Sequence, residues 1–237
     1  MNILDLIRKT YIYKVYHKKQ VEKLEKNIEL RKLYFKKEGE VLLNKFTEAL
    51  NSYGITFWLE FGTLLGYYRE HDFISHDCDL DFGVNLCDAN RVREALEKYG
   101  FKCIIRYMSS DGGIEECYKY KHTTLDVFYF RPENNKLYCT TYTTFMKNIR
   151  DRFSKTKPCK VKKIYIPNNG FKRVTYKNCD VYVPASVEEH LIMHYGKSFM
   201  IPNPQFDYRK EATNIVYYNY SEVSGQSIHM GSKFGGY

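Results

Sequence analysis

The 237-residue chain reads as one α+β domain, and three features carry that reading. Its first fifty residues have the Lys/Glu/Leu composition and spacing of a helix. Its middle alternates short apolar strands with short helices, and nothing in it repeats or builds a second core. Apolar residues amount to 43% of the total, sufficient for a sizeable buried core.

In the opening helix, Val41, Leu42, Phe46, Ala49 and Leu50 recur at helical spacing and are expected to pack on the core, with Gly54 as the C-terminal stop. The more polar residues 1–40 form a helical extension ahead of a domain spanning 41–205. "ITFWLEF" alternates large apolar residues and predicts a strand. In "GTLLGYYRE", Gly62 supplies a tight turn and Thr63 an N-cap for a short helix. "FISHDCDLDFGV" predicts a second strand. "DANRVREALEKYG" predicts a helix capped by Asp88, with Val92, Ala95, Leu96 and Tyr99 facing inward. "FKCIIRYM", "ECYKYKH" and "TLDVFYF" predict three more strands, the last apolar enough to be central. "SVEEHLIMHYG" predicts a helix opened by a capping box, Ser186 with Glu189, and closed by Gly196. The remainder, 206–237, reads as a Gly/Ser-rich, loop-like tail that packs on the domain or trails from it.

The net charge of +9 is local. Residues 147–177 hold eleven Lys and Arg against one acid, Asp151, a net +10, so the rest of the chain sums to −1. Pro158 and Pro167 break any long helix there, and extended structure is expected. Such an insert is either a solvated loop or hairpin or a landing surface for an anion: nucleotide phosphates, a phosphorylated glycan, an acidic lipid surface or nucleic acid. Seven cysteines (78, 87, 103, 117, 139, 159 and 179) contain no C-x-x-C pair, which argues against a disulfide framework and a zinc site. All, Cys78 included, are expected to be small core residues. Charges interrupt the apolar residues of the N-terminus, so it lacks a signal peptide's core, and no window reaches the length of a membrane span. A reduced, cytoplasmic setting is expected.

"HDCDLDFGV" places Asp77, Asp79 and Asp81 at alternate positions of an apolar strand, where residues two apart share a face roughly 6.5–7 Å apart. Cys78, Leu80 and Phe82 are then expected to face the core. Clustered carboxylates repel one another when half-buried, and a divalent cation reverses that cost. Hard oxygen ligands suit Mg²⁺ or Mn²⁺. Asp126 opens another apolar strand, "LDVFYF", and is the natural further ligand to a metal shared with Asp79 and Asp81. Upstream, the Gly62–Thr63 turn offers free N–H groups to a phosphate, and Arg69 either reaches that phosphate or pairs with Glu70 or Asp72. A Gly-Thr turn followed so closely by a D-x-D strand is the arrangement of nucleotidyltransferases. His76, beside the aspartates, is expected to touch substrate. His190 and His194 lack the glutamate of a zinc-protease motif and read as core or surface histidines.

The block "FGTLLGYYREHDFISHDCDLDFGV" resembles the LicD/fukutin family signature. "LDVFYF" and "HLIMHYGKSFMIPNP" resemble that family's later strand and closing segment, in the same order, over roughly residues 40–205. Ser75 and His76 stand where the family has Pro-Trp. The resemblance implies a nucleotidyltransferase-like fold of the DNA polymerase β type, a mixed sheet flanked by helices. It implies a metal-dependent phosphotransferase that moves a phospho-alcohol (choline, ribitol, glycerol or similar) from a CDP-linked donor to a hydroxyl of a cell-surface glycan or glycolipid, releasing CMP. Carried over residue by residue, Gly62 and Thr63 fall on the phosphate turn, Asp79 and Asp81 on the metal ligands with Asp77 beside them, and Asp126 on a metal ligand or general base. Nucleic acid is not an expected partner; peripheral association with the inner face of the membrane is a further expectation. Two alternatives remain: nucleotidyl transfer from an NTP to a small molecule or an RNA end, and a non-catalytic basic module whose binding is salt-sensitive.

Overall fold

The computed structural model describes residues 11–146, 151, 154–203, 206, 211–219 and 221–230. The first ten residues of the expected helical extension, part of the basic insert and parts of the tail lie outside the described residues.

Helix α1, Tyr11–Ser52, runs unbroken across the expected boundary at residue 40. Its last third is anchored by Leu42, Leu43, Phe46, Ala49 and Leu50, none of them exposed. Val41, expected in the core, is instead 41% exposed, because Leu43 takes the buried position on the helix face. The Phe46 ring stacks on Phe82 at 3.9 Å and meets Phe57 edge-on at 5.3 Å, tying the helix to the sheet. Gly54, at φ 60°, ends the helix in the left-handed conformation expected of it, with Ile55 N–H donating back to the Leu50 carbonyl at 3.0 Å. Among the described residues, no helix is long and apolar enough to cross a membrane.

Among the described residues, the rest is a mixed eleven-stranded sheet with short helices. In chain order come β1 (Phe57–Leu59), α2 (Phe61–Leu65), a π-helical turn over Gly66–Glu70, β2 (Asp79–Asn85), α3 (Ala89–Lys98), β3 (Lys102–Ser109), β4 (Ile114–Tyr120), β5 (Thr123–Glu133), β6 (Lys136–Thr144), β7 (Thr156–Pro167), β8 (Phe171–Tyr176), β9 (Cys179–Pro184), α4 (Val187–Tyr195), β10 (Ile215–Tyr217) and β11 (Gly225–His229). The central position expected for "LDVFYF" is met, since β5 pairs with β2, β4 and β6. β2 runs parallel to β5 and β1 parallel to β9; the other pairings are antiparallel. One apolar cluster lies under α1, α3 and α4, and a second, around Trp58, Phe130 and Ile164, lies apart from it. Gly83 keeps that arrangement possible, because a Cβ there would stand 2.2 Å from the Trp58 ring.

Strands β3, β4, β5, β6, β7 and β11 close a hydrogen-bonded ring, each pairing with the next and β11 returning to β3. The loop-like tail expected from its Gly and Ser content is thus corrected. Residues 225–229 fill the gap between two strand edges, and that pairing outweighs their weak intrinsic strand preference.

Three local expectations are also corrected. The second strand begins only at Asp79, so Asp77 and Cys78 precede it. Ser186 and Glu189 form no capping box; both accept from the Asn169 amide, at 3.4 and 2.9 Å. Asp88 makes no side-chain cap and pairs with Arg91 at 2.6 Å.

Candidate active site

The alternation of β2 turns Leu80 and Phe82 into the core and leaves Asp79 and Asp81 on the opposite face. Cys78, expected to join the core, is half-buried and lies beside Asp79. The parallel register of β2 and β5 sets Asp81 directly opposite Asp126. Asp77, Asp79, Asp81 and Asp126 all line one cavity of about 490 Å³.

Their electrostatics are those of crowded carboxylates. Burial, then the charge of Asp79, pushes Asp77 up to about 7, with Arg69 opposing. Burial and Asp79 push Asp126 up to about 7 as well. Asp81 is raised well above the usual range by burial and by the charges of Asp79, Asp126 and Asp77. Asp79 is raised by burial while Arg31 pulls against it. Arg31 comes from α1 and donates to Asp79 Oδ2 at 2.8 Å and to Thr124 Oγ1 at 3.1 Å.

The Gly62–Thr63 segment serves this site differently from the expected turn. Glu60, not Thr63, stands at the N-cap of α2, and its carboxylate accepts from Phe61 N–H. Thr63 lies within the helix, and its hydroxyl accepts the Asp81 N–H at 2.8 Å, pinning the strand that carries the carboxylates. A Cβ on Gly62 would stand 3.0 Å from Asp77 Oδ2 and 3.6 Å from Asp81 Oδ2, so glycine leaves the carboxylates their room. Phe61 holds a left-handed φ of 41°, a strain that costs about 1–3 kcal/mol, and its ring lies edge-on to Phe128 at 4.7 Å in the cavity wall.

Arg69 pairs with Glu70 at 2.7 Å and donates to the Phe199 carbonyl at 3.1 Å; Asp72 pairs instead with Lys177 at 2.6 Å. Arg69 and His76 line a second cavity of about 530 Å³. The two cavities share Gly62, Asp77, Tyr195 and Phe206, so they meet beside the aspartates.

The structure adds residues that sequence reasoning missed. Buried Glu60 accepts from Trp58 Nε1 at 2.7 Å and is paired with His190 Nε2 at 2.6 Å. His194 is buried on the same helix, where burial pushes it down to about 4, and it opens on the aspartate cavity. Glu115 of β4 lines that cavity too. A signal existed for Glu60, an acid between Leu59 and Phe61 in an apolar run, and for the four-residue spacing of the two histidines. Nothing marked Arg31 or Glu115.

The described part of the basic insert does not form one patch. Lys162 of β7 is buried, Lys163 pairs with Glu133 at 2.6 Å, and Arg173 of β8 pairs with Asp180 at 2.6 Å. β7 belongs to the strand ring, whereas β8 is the outer strand beside β9.

The oxygen-only donor set of Asp79, Asp81 and Asp126 fits a hard divalent cation in its chemistry, and the raised carboxylates are those such a cation would neutralise. As they stand, no three His, Cys, Asp or Glu side chains among the described residues close on one point. Arg31 holds an oxygen of Asp79, and Mg²⁺ or Mn²⁺ would have to compete with that guanidinium.

Comparison with known proteins places these features in context. The family model described as LicD/FKTN/FKRP, nucleotidyltransferase domain, matches residues 54–186, more than half of the chain. The chain is 25% identical to human "Ribitol-5-phosphate transferase FKTN" over 183 residues, covering 76% of this chain and 37% of that protein. Its counterpart from Mus musculus is 23% identical over 185 residues, 77% of this chain and 38% of the relative. "Uncharacterized protein RP689" of Rickettsia prowazekii is 32% identical over 112 residues, 47% of this chain and 38% of that protein. The chain therefore spans less than two-fifths of the length of these curated relatives.

Proposed function

The chain belongs to the LicD/FKTN/FKRP family, and from that premise we propose that it is a metal-dependent phosphotransferase. It moves a phospho-alcohol from a CDP-linked donor to a hydroxyl of a glycan and releases CMP, on a nucleotidyltransferase-like fold. The observation that carries the reading is the register of β2 on β5, which gathers Asp79, Asp81 and Asp126, with Asp77 just ahead of the strand, in one cavity where two clefts meet. The ribitol-5-phosphate transferase activity for which the fukutin relatives are named supports ribitol phosphate as the transferred group.

In this reading Asp79, Asp81 and Asp126 would hold Mg²⁺ or Mn²⁺. When bound, the cation neutralises charge on the donor diphosphate and on the departing CMP. The chain's own groups do the rest. Thr63 fixes Asp81 through its backbone, and Gly62 leaves space for the diphosphate beside Asp77. Arg69 and His76 line the second cleft, where the cationic Arg69 side chain suits the nucleotide half of the donor. The acceptor oxygen bonds to the phosphorus of the phospho-alcohol, the bridging oxygen leaves with CMP, and the hydroxyl proton passes to Asp77, the aspartate of the four that is not assigned to the metal.

Asp79→Asn and Asp81→Asn are expected to abolish CMP release from CDP-ribitol, CDP-glycerol and CDP-choline in the presence of Mg²⁺, while circular dichroism shows both variants folded. Full turnover in either variant, or release of pyrophosphate from an NTP in place of CMP, sinks the proposal.

A further inference from the structure

Three polar atoms of the aspartate cavity have no hydrogen-bond partner among the described residues: Glu115 Oε2, Thr141 Oγ1 and His194 Nδ1. They come from β4, β6 and α4, separate elements that contribute to the lining of one cavity. Thr141 is 7% exposed and His194 5% exposed; Glu115 is half-buried as a whole, yet its Oε2 atom lies out of solvent. Buried Lys162 lies close enough to Glu115 to offset its charge. Polar atoms so placed are normally satisfied, and three unsatisfied ones in a single cavity point to a ligand that satisfies them.

The chemistry of the set narrows that ligand. A carboxylate accepts, a threonine hydroxyl donates and accepts, and a neutral imidazole nitrogen does one or the other. Vicinal hydroxyl groups, each a donor and an acceptor, answer all three. A quaternary ammonium donates no hydrogen bond, and a phosphate has nothing to give Glu115. Phe61, Phe128 and Tyr142 supply apolar walls for the carbon chain. Because these walls and the aspartates share one cavity, a group joined through a single phosphate to the metal end reaches the three atoms without leaving it.

We propose that Glu115, Thr141 and His194 form the subsite that reads the hydroxyl groups of the donor's polyol. This deepens, and rests on, the CDP-alcohol reading above. The subsite makes the enzyme selective for a polyol donor over a choline donor. A site built to pair with hydroxyls discriminates strongly against a ligand without them, because its own polar groups are then left stranded.

Calorimetric titration of the purified chain with CDP-ribitol, CDP-choline and CMP, each with Mg²⁺, tests the proposal. Wild-type protein is expected to bind CDP-ribitol at least tenfold more tightly than CDP-choline. Glu115→Gln and the isosteric Thr141→Val are each expected to weaken CDP-ribitol about tenfold, about 1.4 kcal/mol, and to leave CMP affinity unchanged. Thr141→Val keeps the test decisive should Glu115→Gln fail to fold. Equal affinity for the two donors, or an equal loss for CMP in the variants, overturns the subsite while the CDP-alcohol reading stands. Absence of binding by CMP and both donors to the wild-type protein removes that reading, and the subsite with it.

Discussion

Asp126 shows how a single side chain in the cavity trades stability for function. Its carboxyl titrates near 7 in the folded protein against about 3.9 in an unfolded chain, because it is buried and faces Asp79. The folded state therefore holds the extra proton between those values, and stability falls as pH rises from about 4 to 7 in the absence of metal. Asp126→Asn removes that dependence. Without metal, the variant is expected to exceed the wild type in stability by up to about 4 kcal/mol at pH 8, and to equal it below about pH 4, by chemical denaturation. Adding Mg²⁺ at pH 8 should then stabilise the wild type more than the variant. A variant with no gain at pH 8, or with an equal response to Mg²⁺, contradicts the crowded-carboxylate account. The aspartates themselves were legible, since an acid in an apolar strand has few structural uses. Adjacent Glu115 and Glu116 were not. "IEECYKY" shows two ordinary strand acids, and only the pairing of β4 turns one to the cavity and buries the other.

At the scale of elements, Glu116 is the tie between α3 and the sheet. It is fully buried, and accepts from Arg93 at 2.8 Å, from Tyr118 at 2.8 Å, and from Arg106 and Tyr129. Burial raises its pKa, yet the hydrogen bonds from Tyr129 and Arg93 carry it below the ordinary range. Glu116→Gln strands two guanidinium groups and is expected to cost about 3–5 kcal/mol in urea unfolding. A loss below about 1 kcal/mol would show that α3 is held by its apolar face alone, through Val92, Ala95 and Leu96. For α1 the corresponding tie is apolar. Phe46→Ala opens a cavity among Phe57, Phe82 and Phe101 and is expected to cost about 3–5 kcal/mol by the same measurement. Helix periodicity disclosed α1 and α3. The function of α1 in the site was hidden, because Arg31 is one polar residue among many until the fold carries it to Asp79.

The whole molecule depends on closing the strand ring. β11 joins β3 to β7, and four of the six ring strands, β4 to β7, supply the cavity's Glu115, Asp126, Phe128, Thr141, Tyr142 and Ile164. A chain shortened after Asn219 lacks β11 and leaves two strand edges open. Amides of Ile105–Ser109 and Thr156–Cys159 are expected to lose their hydrogen-exchange protection, and binding of CDP-ribitol to fall with it. Protection unchanged in both segments would mean that the ring holds without its last strand.

Residue chemistry and short-range periodicity, which any folding of the chain must respect, determined by themselves the α+β class, the order of most elements and the identity of the aspartates. The tertiary structure alone decided that Asp81 faces Asp126, that Arg31 reaches Asp79, that a Gly/Ser-rich tail becomes β11, and that Glu115, Thr141 and His194 line one cavity. Each of these depends on register and closure between strands distant in the chain. Such pairings are selected by the packing of the whole sheet, and no local pattern of residues encodes them.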